Sequence, residues 1–236
     1  MGLFYRDYRY YRDDPRFYYV HQMLGRWMCI SRGSAAILNL NCGLILLPMC
    51  RYILTILRSC NKQIQISTVN TLIDSCKGFH IACAVIIVMT TVVHFIGHMF
   101  NDVNFSRHYN DVYTEVNGAE YSQQDPVFIA IRSVAGITGL LMCVILVVIV
   151  TTSYRHMREV NYDLFCFTHR LILVFYILIL VHAVGGSIKQ QTNLNNHWPG
   201  CNTSSISPQS EPITELYLMA SNITNCTERP RFEHIK

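Results

Sequence analysis

Four histidines lie inside two long apolar segments, and this feature constrains the fold more than any other. His80 and His94 lie in one segment, and His169 and His182 lie in the other. An ionisable side chain inside a membrane-spanning helix is costly, so its presence indicates a function. Within each segment the two histidines lie roughly 20 Å apart, because a helix rises about 1.5 Å per residue. Two such helices side by side would present two facing histidine pairs, one near each membrane face.

Facing pairs of neutral imidazoles suit haem iron, because one imidazole can bind on each side of the metal. Two haems stacked across a bilayer would carry electrons from one face to the other. The alternative is that each histidine only hydrogen-bonds a neighbouring helix. The nearly equal spacings, fourteen residues in one segment and thirteen in the other, favour the haem interpretation.

The composition is that of a membrane protein. Of 236 residues, 51% are hydrophobic and only 14% are charged, whereas soluble domains carry about a quarter charged residues. The apolar residues cluster at about 34–57, 79–100, 127–150 and 165–188, and each cluster approaches the roughly 20 residues that cross a bilayer. We therefore predict an all-α membrane protein, a bundle of four transmembrane helices forming a bis-histidine di-haem core. A net charge of +4, scattered along the chain, argues against a nucleic-acid partner.

Helical phase is consistent for one pair of histidines and inconsistent for the other. At about 100° per residue, His80 and His94 fall about 40° short of a whole number of turns, so they face the same way. His169 and His182 differ by about 220° on the same basis, which would point them apart. We expect either a π-bulge in the fourth segment or two porphyrins rotated about the membrane normal.

Glycosylation sequons orient the chain. One follows the second span and three follow the fourth, an even number of crossings later, so they share one side of the membrane. The four acceptors are Asn104, Asn202, Asn222 and Asn225. N-glycosylation occurs on the extracellular or lumenal side. We therefore predict that loops 99–126 and 189–236 are extracellular or lumenal.

Basic residues agree with this orientation except at the N-terminus. The loops after the first and third spans are basic, as cytosolic loops should be. Five arginines between residues 6 and 26 would instead lie outside. The simplest expectation is a further span before residue 1, so that the chain is a fragment, an isoform or the product of a misplaced gene start.

The ten cysteines indicate packing and one disulfide. The sequence contains no CxxC or CxxCH motif, so it gives no support for covalent haem attachment or a thioredoxin-like site. Most of the cysteines lie in or beside the spans, where they act as small apolar residues. Cys201 and Cys226 stand in a polar tail among the sequons. We predict a disulfide between them on this oxidising side.

Arg32 and His98 are candidate site residues near the outer face. A cation and a hydrogen-bond donor there would stabilise a developing anion such as superoxide. The alternative is that both side chains snorkel to the membrane interface. His94 and His98 also resemble a zinc pair at i and i+4, but the glutamate of HExxH is missing. A zinc hydrolase is therefore not expected.

His197 is the candidate proton donor. It lies in the stretch NNHWPGC of the long tail after the fourth span, which we expect to form an outer cap. A histidine beside nascent superoxide could donate a proton and favour peroxide, because it titrates near neutral pH. The alternative is a solvated loop histidine.

The histidine pattern resembles a known family. One segment reads FH, thirteen residues, then H, and the other reads FTH, twelve residues, then H. The stretches SRGSAAILNLNCGLILLPMCR at 31–51 and SVAGITGLLM at 133–142 are also similar. Together these residues resemble the ferric reductase-type transmembrane core of NADPH oxidases over roughly residues 20–205.

The resemblance implies ligands and missing parts. His80 and His169 would hold an inner haem b, and His94 and His182 an outer one. Arg32 and His98 would both lie near the oxygen-reducing face. FAD and NADPH would be bound only by a cytosolic domain that these residues lack, as they lack the family's first and last helices. A small membrane partner subunit is a further family trait.

The resulting hypothesis divides the chain into an outer segment at 1–27, a transmembrane haem domain at 28–188 and an outer loop at 189–236. We expect the core of an NADPH oxidase-type oxidoreductase that passes electrons to O₂, forming superoxide or hydrogen peroxide. It would lie in the plasma membrane or the endoplasmic reticulum. One alternative is a metalloreductase core, which an acidic metal-binding patch on the outer surface would favour. The other is a truncated non-catalytic subunit.

Overall fold

The structure, a computed structural model, describes residues 2–47, 75–110, 116–186 and 188–191. Within these ranges all regular structure is helical and there is no strand. The α-helices are α1 Gly2–Asp13, α2 Tyr18–Leu24, α3 Arg26–Leu44, α4 Cys76–Arg107, α5 Pro126–Arg132, α6 Val134–Thr152, α7 Arg155–Val160, α8 Tyr162–His169 and α9 Ile172–Val184. The predicted all-α class is confirmed.

Three helical units in the described ranges are long and apolar enough to cross a membrane. They are Cys76–Arg107, Val134–Thr152 and Tyr162–Val184, with mean hydropathies of 2.3, 2.8 and 2.3. They match the second, third and fourth predicted spans, and the chain is an integral membrane protein. The first predicted span, 34–57, begins within α3 and continues beyond residue 47, outside the described residues.

The long helices form two antiparallel pairs. The end of α3 lies beside the start of α4, since the Ile45 carbonyl meets His80, and Ser31 meets His94 at the other end. In the same way, α6 runs antiparallel to the α8–α9 unit. The α3–α4 and α6–α9 contacts are extensive, whereas the α4 and α9 backbones approach each other much less among the described residues. The space between α4 and α9 is therefore bridged mainly by side chains.

A close approach of α3 and α4 depends on Gly97. A Cβ atom at this position would lie 3.1 Å from the Cβ of Ser31, which is tighter than an ordinary van der Waals contact. The absence of a side chain lets the two helices meet beside His94. Gly97 therefore helps to set how near the Ser31 backbone comes to that histidine.

Residues 2–27 form a packed helical layer, and the outer location predicted for segment 1–27 stays a prediction. The Phe4 ring of α1 lies against Gly33 of α3. Three apolar residues in and beside α2 are spaced by helical turns, namely Phe17, Val20 and Leu24. They are buried together with Met28 of α3 and Phe105 of α4, and this packing explains why the segment is ordered.

A short 3-10 turn, Pro15–Phe17, joins α1 to α2. The Asp14 side chain caps this turn by accepting from the Arg16 amide, and its carboxylate forms an ion pair with the Arg16 guanidinium at 2.7 Å. The hydrogen bond and charge of Arg16 hold the pKa of Asp14 below its usual value. The pair thus supports the turn while Asp14 is ionised.

The fourth span departs from a regular helix directly after His169. The amide of Arg170 donates to the Phe167 carbonyl at 3.2 Å, and that of Leu171 to the Thr168 carbonyl at 3.0 Å. These are i to i−3 bonds, so the turn is tightened. A departure from ideal geometry was one of the two predicted alternatives and is present, but it is a tightened turn and not a π-bulge; the other alternative, rotated porphyrins, stays a prediction. A tightened turn adds rotation, since a 3-10 helix has about 3 residues per turn.

Candidate functional site

The four histidines form two facing pairs. The ring centroids of His80 and His169 lie 6.2 Å apart, with an interplanar angle of 52°. Those of His94 and His182 lie 6.3 Å apart, with an angle of 64°. The structure thus brings together both of the pairs that the sequence predicted.

The separation within each pair suits a single metal between two imidazoles. A metal–nitrogen bond of about 2 Å, with about 1 Å more from nitrogen to ring centre, puts two opposed centroids about 6 Å apart. Both observed separations agree with this value. The spacing thus leaves room for one metal ion between the two rings of each pair. The residues present therefore fit a haem whose iron is bound by two imidazoles.

The hydrogen bonds of the outer pair select the tautomer that a metal requires. The Nδ1 atom of His94 lies 2.9 Å from the carbonyl oxygen of Ser31. A carbonyl only accepts, so this nitrogen carries the proton and Nε2 keeps its lone pair. His182 Nδ1 lies 3.1 Å from Thr138 Oγ1, and that hydroxyl already donates to the Val134 carbonyl at 2.7 Å. Thr138 therefore accepts from His182.

The inner pair follows the same pattern with longer bonds. His80 Nδ1 lies 3.2 Å from the Ile45 carbonyl oxygen. His169 Nδ1 lies 3.5 Å from Ser153 Oγ, whose hydroxyl donates to the Ile149 carbonyl at 2.6 Å. All four Nε2 atoms are thereby left to face the opposite ring. Fixing a ligand's tautomer through its second nitrogen is typical of metal-binding histidines.

An apolar layer separates the two pairs. Ile87 lies midway between the histidines of α4, and Phe175 lies near the middle of the fourth span. Both are buried in one cluster with residues of α3. The Tyr176 hydroxyl in this layer donates to the Cys42 carbonyl. Among the described residues the space between the pairs is therefore mainly apolar, and the Tyr176 hydroxyl and the Asn41 amide in it are hydrogen-bonded.

Arg32 and His98 both lie at the outer pair, as the sequence predicted. The His98 ring packs edge-on against His94, with centroids 4.6 Å apart. The Arg32 guanidinium lies over the Tyr11 ring at 5.3 Å, and its charge reaches His94, His98 and His182. The Arg32 Nε atom is buried and has no hydrogen-bond partner among the described residues. It is thus a donor without an acceptor close to the outer histidines.

Asn104 is packed in a way that competes with glycosylation. Its side-chain nitrogen, the atom that would carry a glycan, donates to the Leu24 carbonyl at 2.9 Å. Phe105 and Ser106 of the same sequon are buried. The remaining predicted residues lie outside the described part of the chain and stay predictions: His197, Asn202, Asn222, Asn225, Cys201 and Cys226.

Sequence reasoning missed the hydrogen-bond acceptors of the histidines. The acceptors are oxygen atoms of neighbouring helices, a backbone carbonyl for His94 and a hydroxyl for His182. A signal was present, because Ser31, Thr138 and Ser153 are small polar residues in or at the ends of apolar segments. Which histidine each would meet depends on how the helices pair.

The model of a protein family, the ferric reductase-like transmembrane component, matches residues 32–180 of the chain. The chain belongs to this family. The matched range includes three of the paired histidines, and His182 lies just beyond it. The ferric reductase-like assignment agrees with the helical membrane architecture and with the resemblance drawn from the sequence.

Curated relatives of this ferric reductase-like chain are NADPH oxidases. NADPH oxidase 4 of Mus musculus is 44% identical over 199 residues, covering 84% of the chain and 34% of that protein. NADPH oxidase 4 of Homo sapiens is 39% identical over 250 residues, covering 98% and 43%. NADPH oxidase 1 of Mus musculus is 30% identical over 203 residues, covering 77% and 34%. The predicted resemblance to NADPH oxidases is confirmed, and the chain spans less than half the length of these relatives.

Proposed function

We propose that this chain is the transmembrane electron-transfer core of an NADPH oxidase and holds two b haems. His80 and His169 would bind the inner haem, and His94 and His182 the outer one. The observation that carries the proposal is the pair of facing imidazole sets, 6.2 and 6.3 Å between ring centroids. Every Nδ1 atom in them is held by an oxygen, which leaves Nε2 for iron.

When bound, haem supplies a one-electron carrier at each histidine pair. The chain's own residues hold the imidazoles in the ligating tautomer and keep water out between the pairs. Cys42, Cys83, Ile87 and Phe175 are buried in that layer. This buried apolar layer would limit the access of water to the space between the two sites.

The outer residues favour reduction of O₂. Superoxide is an anion, so a buried cation and an N–H donor beside the outer pair lower the cost of forming it. Arg32 offers an unpartnered Nε atom, and His98 packs against His94. In this proposal His197 remains the candidate proton donor that would favour hydrogen peroxide.

The membrane arrangement is part of the same proposal. Loops 99–126 and 189–236 would lie on the extracellular or lumenal side, with residues 1–27 packed over the outer end of the haem domain at 28–188. Electrons would come from NADPH through FAD bound to cytosolic domains of the whole protein. A small membrane subunit is the proposed protein partner, and the membrane is the plasma membrane or the endoplasmic reticulum.

A metalloreductase is the second candidate, because the matching family is described as ferric reductase-like. Such an enzyme would attract cationic iron to an acidic outer surface. The described outer cavity is lined by two carboxylates, those of Asp102 and Glu120, and by two cationic side chains, those of Arg132 and Lys189. The numbers of negative and positive charges are therefore equal. This balance of charge favours an uncharged acceptor such as O₂.

The test is haem content in purified chain. The chain would be expressed in membranes, solubilised and assayed by reduced-minus-oxidised and pyridine haemochrome spectra. We expect two b haems per chain, extractable by acid acetone. His169→Leu and His94→Leu should each remove one, because each change deletes one axial ligand, while His156→Leu at an exposed position of α7 should remove none. An unchanged spectrum in His169→Leu would reject the assignment.

Acceptor competition distinguishes the candidates. Dithionite-reduced chain, freed of excess reductant, would be mixed with O₂ or with ferric citrate. We expect haem reoxidation by O₂ to be the faster reaction and to yield superoxide or peroxide. Preferential oxidation by ferric citrate would favour the metalloreductase, and a chain that binds no haem would favour a non-catalytic subunit.

A further inference from the structure

A cavity of about 620 Å³ opens at the outer ends of α4 and the fourth span. It is enclosed by the last turns of α4, residues 117–124, the start of α6 and the segment that follows α9. Its lining begins one turn beyond the outer site. Asp102 follows His98 by four residues, and Gly185 follows His182 by three. The cavity therefore lies next to the place where O₂ would be reduced.

One carboxylate of this cavity, that of Asp102, contacts no cationic side chain among the described residues. It is half-buried and makes no hydrogen bond or ion pair within the described residues. The other carboxylate, Glu120, is paired with Arg132 at 2.9 Å. Asp102 is therefore free to take up and release a proton without breaking an existing ion pair.

Helix geometry directs Asp102 toward the outer site. Side chains on a helix tilt toward its N-terminus, so Asp102 leans back over the turn that carries His98. Residues at i and i+4 have Cβ atoms about 5–6 Å apart. Asp102 thus lines the cavity and lies one helical turn from His98, which itself contacts the outer ligand His94.

We propose that Asp102 carries protons from the cavity to O₂ as it is reduced at the outer histidine pair, and so favours hydrogen peroxide over superoxide. This inference rests on the proposed function. O₂ accepts two electrons from the reduced haems and two protons, and two O–H bonds form in H₂O₂. The Asp102 carboxyl delivers each proton in turn: its O–H bond breaks as an O–H bond to oxygen forms, and the carboxylate is reprotonated from cavity water before the second delivery. Without this delivery the one-electron product, superoxide, leaves.

The charged groups that line the cavity together with Asp102 are Glu120, Arg132 and Lys189. His98 and Arg107 lie on the same helix as Asp102. A control must therefore change one charge of this cavity without changing Asp102, and Glu120→Gln does so.

The first test is a single turnover of the haem-loaded chain. Reduced chain would be mixed with oxygenated buffer between pH 6 and pH 9, conditions chosen to bracket neutrality, and superoxide and peroxide would be measured per electron. General acid catalysis contributes roughly 10²–10⁴-fold, and bulk water replaces part of it, so we expect Asp102→Asn to lower peroxide yield about tenfold. Asp102→Glu should restore peroxide, and Glu120→Gln should match the unchanged chain.

The second test does not depend on turnover. Spectropotentiometric titration at several pH values should show an outer-haem midpoint potential that varies with pH, because reduction draws a proton to Asp102. The variation should disappear in Asp102→Asn and persist in Glu120→Gln. Superoxide as the main product of the unchanged chain, or an Asp102→Asn variant with the same product ratio and pH dependence, would overturn the proposal. Loss of haem from the unchanged chain would instead reject the proposed function.

Discussion

At each paired histidine the Nδ1 atom faces an oxygen of a different helix. The outer bonds, at 2.9 and 3.1 Å, are shorter than the inner ones, at 3.2 and 3.5 Å. The ring of His94 has a second oxygen nearby, since Ser34 Oγ lies 3.3 Å from the same nitrogen. The outer imidazoles therefore have the shorter hydrogen bonds, and the position of His94 depends on how closely α3 approaches α4.

Replacing Gly97 by alanine should disturb that approach. The added Cβ would lie 3.1 Å from Ser31 Cβ, so α3 must shift and the bond from His94 to the Ser31 carbonyl should lengthen. Overpacking of this kind costs about 1–3 kcal/mol. We expect a lower Tm in detergent and weaker outer-haem binding for Gly97→Ala.

The same helix supplies the control for this substitution. A Cβ at Gly78 meets nothing within 4 Å, so Gly78→Ala should leave the Tm unchanged or raise it, because alanine favours helix by about 1 kcal/mol. Thermal melts and haem retention would be compared side by side. Equal melting temperatures for both variants would show that the α3–α4 approach is not limiting.

At the scale of secondary structure, the fourth span works as two helices joined by a tightened turn. The turn lies at Arg170 and Leu171, immediately after His169. It adds about 20° of rotation per residue relative to an α-helix, so it closes part of the angular gap between His169 and His182. The break therefore contributes to bringing both ligands toward α4.

One alanine inserted between Arg170 and Leu171 should separate the two ligands. Each added residue rotates the following helix by about 100°, so His182 would turn away from His94 while His169 stays in place. Haem content should fall from two per chain to one, measured by pyridine haemochrome. Arg170→Ala, which alters the exposed side chain but not the residue count, should keep both haems. Two haems in the insertion variant would mean that the phase of α9 is not decisive.

The whole molecule is two antiparallel helix pairs facing each other across the histidine rings. The side chains turned outward are apolar and exposed, as lipid-facing surfaces should be. They include Val85, Met89, Val144, Val147 and Leu180. Because the outer ends of α4 and the fourth span lie on one side, the loops that follow them must share that side. The three sequons after the fourth span make the side of that loop testable.

Glycan mapping tests the arrangement of the whole chain. We expect Asn202→Gln, Asn222→Gln and Asn225→Gln each to increase gel mobility by the mass of one glycan. Ser106→Ala, which removes the Asn104 sequon without touching the Asn104 amide, should change nothing, because that nitrogen is bound to Leu24. Endoglycosidase treatment would confirm the assignment. Mobility that no substitution alters would place the tail on the cytosolic side.

Much of the candidate site followed from the sequence alone. Residues inside a bilayer must satisfy their backbone hydrogen bonds internally, so apolar segments of this length become helices. Helical rise then gave the separation of the histidines, and the family resemblance implied the pairing of His80 with His169 and His94 with His182. Arg32 and His98 were placed near the outer face by the number of membrane crossings that separate them from the sequons.

Only the tertiary structure decided how those ligands are held. The acceptor of His94 lies 63 residues away in the chain, and that of His182 lies 44 residues away. Periodicity within one helix carries no information about which neighbour a second helix presents. The tightened turn after His169 and the unpaired carboxylate of Asp102 in the outer cavity also arise from packing. The sequence thus determined which residues could bind haem, while the contacts between helices decided their tautomers, their orientation and their access to water.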